Sequence, residues 1–207
     1  MIRLLYRLID KLYLECYRLL SSLYLFIVIH TFNLKLGRGH RINGFPKFIV
    51  KKRAIVQIGD YFAMNSGPLF NPIGRNQRSL IIVTDDAELR IGQNVGMSSV
   101  TIVCQQAVTV GNGVRIGGNT VIYDTDFHSL NADERTALPE IKDNIRRKPV
   151  LIGNNVFIGG HSTILKGTEI GDNSIIGAGS VVRGEIPKNE IWAGNPARFV
   201  KKIEDKK

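Results

Sequence analysis

Cysteine is scarce in this sequence. Cys16 and Cys104 are the two cysteines among 207 residues, too few for a disulfide framework, and such scarcity is typical of a reducing compartment such as the cytoplasm. Glycine and proline are missing from the first 33 residues, which leaves that segment without turn signals. Hydrophobic residues at 43% and charged residues at 22% exclude a disordered chain and a multi-span membrane protein.

Acidic residues are too few to balance the basic ones. The chain has 28 Lys and Arg against 18 Asp and Glu, a formal net charge of +10. This charge favours anionic partners: a phosphorylated cofactor, an acidic lipid surface or nucleic acid. Since no recognition-helix or zinc-finger pattern accompanies the basic residues, we expect no nucleic-acid partner, and phosphate on a cofactor is the preferred interpretation.

Residues 1–36 are predicted to form an N-terminal helical arm. A charged stripe recurs every three or four residues at Arg3, Arg7, Lys11, Glu15 and Arg18, which is the spacing of one helix face. Residues 19–34 carry no formal charge, but this run is shorter than the ~20 apolar residues needed to span a bilayer. Two interpretations stay open for residues 1–34: a helix lying in a membrane interface, or a helix packed on a partner subunit.

A six-residue repeat dominates the remainder of the chain. From residue 152 to residue 182 an aliphatic residue recurs at every sixth position: Ile152, Ile158, Ile164, Ile170, Ile176 and Val182. Glycine directly follows four of these six residues. The same pattern starts upstream at Ile91, Val110 and Ile116, with a weaker copy at Ile58. Repetition at a fixed period is the mark of a solenoid.

The period predicts short strands separated by tight corners. Three hexapeptides would make one triangular coil, and stacked coils would pair as parallel strands. The stacking should place Ile152 beneath Ile170, Ile158 beneath Ile176 and Ile164 beneath Val182.

The repeat, with the closing segment from Ala193 to Arg198, resembles the hexapeptide-repeat acyltransferases, among them the maltose, galactoside and nodulation-factor acetyltransferases and polysaccharide O-acetyltransferases. The resemblance implies an all-β, left-handed parallel β-helix, a homotrimer with active sites between subunits, and acetyl-CoA as donor with no metal required. We expect the β-helix domain at residues 37–187 and a C-terminal cap and basic tail at 188–207.

The repeat is interrupted at residues 124–149. An insertion on a rigid scaffold is a common place for a site, and it contains His128, whose imidazole is suited to removing the proton of an attacking hydroxyl. In an extended segment Asp124, Asp126 and His128 would project on one side, so one carboxylate could hold the imidazole. Three alternatives stay open: one Asp orients the imidazole, a backbone carbonyl does so instead, or each carboxylate only caps a turn. The resemblance places the family's catalytic histidine in this loop.

Other reactive side chains are weaker candidates. His161 lies inside a regular hexapeptide, where a solvated or inter-subunit role is simpler than catalysis. A zinc site of three histidines is rejected, because the coils offer only His128 and His161. Cys104 is interpreted as a packed small residue rather than a nucleophile, so direct attack on the thioester is the expected mechanism.

The resemblance also implies binding residues. Gly160 aligns with the family's oxyanion donor and cofactor-binding position, and acceptor contacts fall on Ser99, Phe157 and Phe127. Further coenzyme A contacts are assigned to Ala178 and to three cations suited to phosphate: Arg183, Arg198 and Lys201.

The sequence therefore predicts an acetyltransferase acting on a hydroxyl of a sugar, nucleotide- or lipid-linked saccharide used in surface polysaccharide assembly. The alternatives are N-acetylation of an amino sugar, acetylation of serine or an antibiotic, and a non-catalytic β-helix scaffold. The expected location is the cytoplasm, with possible peripheral contact on the inner face of the membrane.

Overall fold

The computed structural model describes residues 2–32, 34–71, 73 and 77–204. Its one long helix, α1, spans Ile2–Thr31, so the predicted N-terminal helix is confirmed. A second helix, α2, covers only Ala132–Thr136. Over the described ranges, the other elements are 21 short strands arranged in three sheets.

Each complete coil contributes one strand to each of three sheets, which we call sheets A, B and C. Sheet A contains β1 (Lys35–Leu36), β4 (Ile55–Ile58), β7 (Glu88–Ile91), β10 (Ala107–Val110), β13 (Val150–Ile152), β16 (Glu169–Ile170) and β19 (Glu185–Ile186). Sheet B contains β2 (Arg41–Asn43), β5 (Ala63–Asn65), β8 (Gly96–Ser98), β11 (Arg115–Ile116), β14 (Phe157–Ile158), β17 (Ile175–Ile176), β20 (Glu190–Ala193) and β21 (Arg198–Lys202). Sheet C contains β3 (Lys47–Val50), β6 (Leu80–Val83), β9 (Thr101–Cys104), β12 (Val121–Tyr123), β15 (Thr163–Ile164) and β18 (Val181–Val182).

The stacking of the coils follows the hexapeptide period. Ile152 pairs with Ile170, Ile158 with Ile176, and Ile164 with Val182, all in parallel register, which confirms the three predicted pairs. These side chains are at most 3% exposed, because every sixth residue points into the interior of the triangular coil. The core is therefore a column of stacked aliphatic layers.

The corners between strands have a backbone that most residues avoid. Asn94, Asn119, Asn155, Asn173 and Asn189 all have φ between 53° and 61°, a left-handed conformation that asparagine adopts more readily than most residues. The asparagines of the repeat therefore turn the chain from one sheet to the next.

Helix α1 lies against the first coil. Leu25 and Val28 are 7% exposed and belong to the hydrophobic core cluster. The Tyr24 hydroxyl donates a 2.7 Å hydrogen bond to the Pro46 carbonyl, and the Tyr17 ring packs edge-on against Phe45 at 5.0 Å between centroids. The second half of the helix thus closes the N-terminal end of the β-helix.

The other end of the β-helix is closed by a hairpin. Strand β21 runs antiparallel to β20, the one antiparallel strand pair recorded within the described ranges. Because β21 covers the edge of sheet B, it protects this sheet from further pairing.

Candidate active site

The insertion at residues 124–149 leaves sheet C after β12 and returns to sheet A at β13. We call this side the CA edge. Asp124 fixes the base of the loop: its carboxylate is fully buried and accepts hydrogen bonds from the backbone N–H groups of Gln105 at 2.8 Å and Gln106 at 2.7 Å. Burial raises the pKa of the Asp124 carboxyl above its usual value. The role of Asp124 is to anchor the loop to the coil below.

His128 is paired with a carboxylate supplied by the same loop. The Nδ1 atom of His128 lies 2.8 Å from an oxygen of Glu140. The side chain of Glu140 is 19% exposed and that of His128 is 62% exposed, so the carboxylate is shielded while the imidazole faces outward. A carboxylate on Nδ1 holds the proton there and leaves Nε2 free to accept one, which is the state a general base needs.

Within one chain, neither Asp124 nor Asp126 contacts the imidazole as expected. Asp124 caps the neighbouring corner, and Asp126 forms an ion pair with Lys166 at 3.2 Å. The physical reason is the backbone at Phe127, whose φ of 65° breaks the extended alternation that would put residues 124, 126 and 128 on one side. Glu140 was not predicted from the sequence, because the insertion has no periodic pattern that shows which of its carboxylates reaches the histidine.

A second set of features lies where strands of sheet B lead into strands of sheet C, which we call the BC edge. Three equivalent positions in successive coils lie there: Gly118, Gly160 and Ala178. Hydrogen bonds between the coils show the equivalence, since the His161 N–H donates to the Gly118 carbonyl and the Gly179 N–H to the Gly160 carbonyl. Among the described residues, no acceptor takes the backbone N–H of Gly118, Gly160 or Ala178. The BC edge therefore presents a column of unused donors.

The corresponding N–H groups between sheets A and B are used differently. Asn112, Asn154 and Asp172 supply side-chain oxygens that accept from the backbone N–H groups of the coil below, at 2.6–2.9 Å. Glycine and alanine offer no such oxygen at the BC edge. Gly118 is buried and Gly160 half-buried, whereas Ala178 is exposed. Because buried N–H groups are normally paired, the N–H groups of Gly118 and Gly160 are places for ligand carbonyl oxygens, and the predicted oxyanion role of Gly160 needs such an open donor.

Unpartnered polar side chains also gather at the BC edge. Ser99 is fully buried, and no described residue forms a hydrogen bond with its hydroxyl. Among the described residues the same is true of Nδ2 of Asn71 and of both amide atoms of Asn119, residues that are 4% and 8% exposed. A buried polar group without a partner is costly, so the three side chains favour a polar ligand nearby. Ser99 was expected at the acceptor; Asn71 and Asn119 were missed, since corner asparagines look purely structural in the repeat.

The two aromatic residues assigned to the acceptor lie apart. Phe157 points outward from sheet B with 49% of its surface exposed and lines a shallow groove of about 240 Å³ together with Arg115. Phe127 lies in the insertion, 39% exposed, and its ring packs edge-on against Tyr123 at 5.1 Å. Within one chain Phe127 accompanies His128 and Phe157 lies on another face.

The three basic residues predicted to bind coenzyme A also lie in two separate places. Arg198 and Lys201 are exposed on β21. Arg198 pairs with Ala193 of β20, and Ala193 packs against the coil that contains Ala178. Arg183 is exposed at the CA edge, directly after β18. The chain therefore brings Arg198 close to the donor column and leaves Arg183 at the far end of sheet C.

His161 and Cys104 remain outside the chemistry. His161 is exposed at a BC corner with φ of 63°, at the position that glycine or asparagine takes in other coils. Cys104 is fully buried and its thiol contacts the Glu88 carbonyl at 3.3 Å. Burial raises the pKa of the Cys104 thiol far above its usual value, so the reactive thiolate is not formed near neutral pH.

The CA edge and the BC edge lie at opposite ends of the strands of sheet C. His128 and Glu140 are at one end, and Gly160 with Ser99 is at the other. Within one chain the His128–Glu140 pair and the donors around Gly160 therefore stay apart.

The comparisons with known proteins agree with this architecture. Residues 149–184 match the family model described as bacterial transferase hexapeptide (six repeats). The chain is 31% identical over 168 residues to the Escherichia coli (strain K12) protein named "Putative lipopolysaccharide biosynthesis O-acetyl transferase WbbJ", with 80% of each chain covered. The chain belongs to the hexapeptide-repeat acetyltransferases, and the predicted left-handed β-helix class is confirmed.

Two further likenesses concern galactoside acetylation. The chain is 38% identical over 121 residues to galactoside O-acetyltransferase of Escherichia coli (strain K12), an alignment that covers 58% of this chain and spans only 57% of that protein. A solved structure titled galactoside acetyltransferase in complex with coenzyme A superposes with a TM-score of 0.52 at 26% identity, covering 93% of this chain and 83% of the other.

Proposed function

We propose that this protein transfers an acetyl group from acetyl-CoA to a hydroxyl of a saccharide used in surface polysaccharide assembly. The observation that carries the proposal is the combination of a His–Glu pair at the CA edge with unused N–H donors at the BC edge. The first can remove a proton from a hydroxyl, and the second can bind the oxygen on which negative charge develops. The relatives named as sugar and lipopolysaccharide O-acetyltransferases support the same reaction class.

In the proposed mechanism His128 accepts the hydroxyl proton through Nε2 as the acceptor oxygen attacks the thioester carbonyl carbon. Glu140 stabilises the imidazolium that forms. The Gly160 N–H binds the oxyanion until the carbon–sulfur bond breaks, and His128 then returns the proton to the departing thiolate. No covalent intermediate on the protein is required, in keeping with the buried thiol of Cys104.

The division of the site supports a homotrimer. In a closed ring of identical copies each contact joins two different surfaces of the chain. Such a ring can place the CA edge of one copy against the BC edge of the next, completing three equivalent sites. We also place the enzyme in the cytoplasm, since its cysteines are free and one of them is exposed.

A panel of acceptors tests the reaction class. We expect acetyl-CoA turnover with hydroxyl-bearing glycosides, detected by mass spectrometry as O-acetyl product, and little turnover with matched amino sugars, serine or an aminoglycoside antibiotic. The matched amino sugar is the control, because it differs from its glycoside in one group. Product on the amine alone would contradict O-acetylation, and failure to bind acetyl-CoA would favour a non-catalytic scaffold.

A further inference from the structure

The excess of positive charge is confined to one end of the molecule. Residues 1–53 hold eleven Lys and Arg against Asp10 and Glu15, a net of +9. Residues 54–207 hold 17 basic and 16 acidic residues, a net of +1. The first coil, residues 34–54, contains seven of these cations and no acidic residue. All seven are exposed: Lys35, Arg38, Arg41, Lys47, Lys51, Lys52 and Arg53.

Helix α1 adds a continuous apolar face at this same end. Leu5, Ile9, Leu12, Cys16, Leu20, Leu23 and Ile27 follow the three- and four-residue spacing of one helix face. The six aliphatic residues in this row are each 55–66% exposed. At 100° per residue this row lies on the side of α1 opposite Leu25 and Val28, which pack on the β-helix. The apolar face therefore points away from the protein along the whole helix.

The placement of α1 suits a helix that lies in a membrane interface rather than one that crosses a bilayer. α1 is long and apolar enough to span by length and composition. However, its first 18 residues include a charged side chain on nearly every turn, and its second half is held against the first coil by Leu25, Val28 and Tyr24. A spanning helix would have to abandon these contacts and bury the charges in lipid.

A groove next to the helix combines the two kinds of surface. It has a volume of about 500 Å³ between α1 and β2 and is lined by Arg18, His40 and Arg41 together with Leu25, Phe26 and Ile29. Cations above an apolar floor match the chemistry of an anionic headgroup above its acyl chains.

We propose that α1 and the first coil form a docking surface for a membrane rich in anionic lipid. The Leu5–Ile27 face inserts into the boundary between headgroups and acyl chains, and the seven cations of residues 34–54 contact the headgroups. An apolar face and a basic cluster are the two signals that together give stable peripheral binding. A second copy of the chain would use the apolar face but would be repelled by the cationic coil, so charge favours the lipid.

Docking would also orient the proposed active site. The insertion with His128 leaves the β-helix between the fourth and fifth coils, about 15–20 Å above the first coil at the usual spacing of paired strands. This consequence rests on the proposed function, whereas docking itself does not and can be measured without turnover.

Vesicle flotation of the full-length protein tests the docking surface. We expect it to float with vesicles of phosphatidylglycerol and phosphatidylcholine and not with phosphatidylcholine alone, with binding reduced at high salt. Lys51→Gln with Lys52→Gln should weaken binding roughly 10-fold or more. The matched control, Lys188→Gln with Lys202→Gln, makes the same charge change at the other end of the β-helix and should bind normally.

A second pair of variants tests the apolar face. Leu12→Asp with Leu23→Asp should abolish flotation, whereas Leu130→Asp with Leu138→Asp, on exposed leucines of the insertion, should not. No flotation of the unmodified protein, or equal flotation with neutral vesicles, would overturn the proposal. Loss of oligomer mass in light scattering by the Leu12 and Leu23 variant, without flotation of the unmodified protein, would instead assign α1 to subunit assembly.

Discussion

His128→Ala is expected to lower the turnover number by ~10²–10⁴, the usual contribution of a positioned acid–base group. The side chain is 62% exposed and contacts Glu140 through Nδ1, so its loss should leave folding and oligomer mass intact. Affinity for coenzyme A, measured by calorimetry, should also be unchanged, since the donor column lies at the BC edge.

His161→Ala is the matched control for this variant. His161 is also an exposed histidine on the same β-helix, and it lies outside the insertion, so its replacement should leave the turnover number within a few-fold of normal. Near-normal turnover in the His128 variant together with a large loss in the His161 variant would reverse the assignment of the base.

Glu140→Ala is expected to have the next largest effect, a decrease in the turnover number of about 10–10³ with little change in the acceptor KM. Without a carboxylate on Nδ1, the imidazole loses the partner that fixes its tautomer and stabilises the imidazolium. Glu140→Asp, which keeps the charge on a shorter side chain, should recover part of the rate.

Oligomer mass and coenzyme A affinity separate a positioning role from a structural one. Both should stay normal in Glu140→Ala while the turnover number falls, because the carboxylate acts on the imidazole rather than on the fold. Asp126→Ala is the control, because Asp126 pairs with Lys166 and not with the histidine. A lower rate accompanied by loss of oligomer mass would indicate that Glu140 only supports the loop.

The coil architecture was predictable because it depends on a periodic signal. The six-residue spacing places Ile152, Ile158 and Ile164 in the core, and the same spacing determines which residues stack above them. The N-terminal helix was predictable for a related reason, since its charged stripe has a helical period. Both features follow from local spacing, which a single sequence displays directly.

The site was predictable only in part because its contacts are not periodic. His128 was found through the interruption of the repeat, but the choice between Asp124, Asp126 and Glu140 depends on one left-handed residue, Phe127, and on the path of a 26-residue loop. The open backbone donor at Gly160 likewise depends on the absence of a side-chain acceptor at the equivalent position of the next coil. Recognising such features requires the three-dimensional structure, because the spacing of residues in a sequence does not show which hydrogen bonds are absent.

The central claim is that one active site is built from two copies of the chain, and mixing two inactive variants tests it most directly. His128→Ala removes the base, and Gly160→Asp places a carboxylate where the oxyanion must bind. Each variant alone should be inactive. After they are unfolded together and refolded in equal amounts, about one quarter of the contacts in a ring should pair an intact CA edge with an intact BC edge. Recovery of about a quarter of normal activity is the predicted result, and a mixture that stays as inactive as its components would contradict the account.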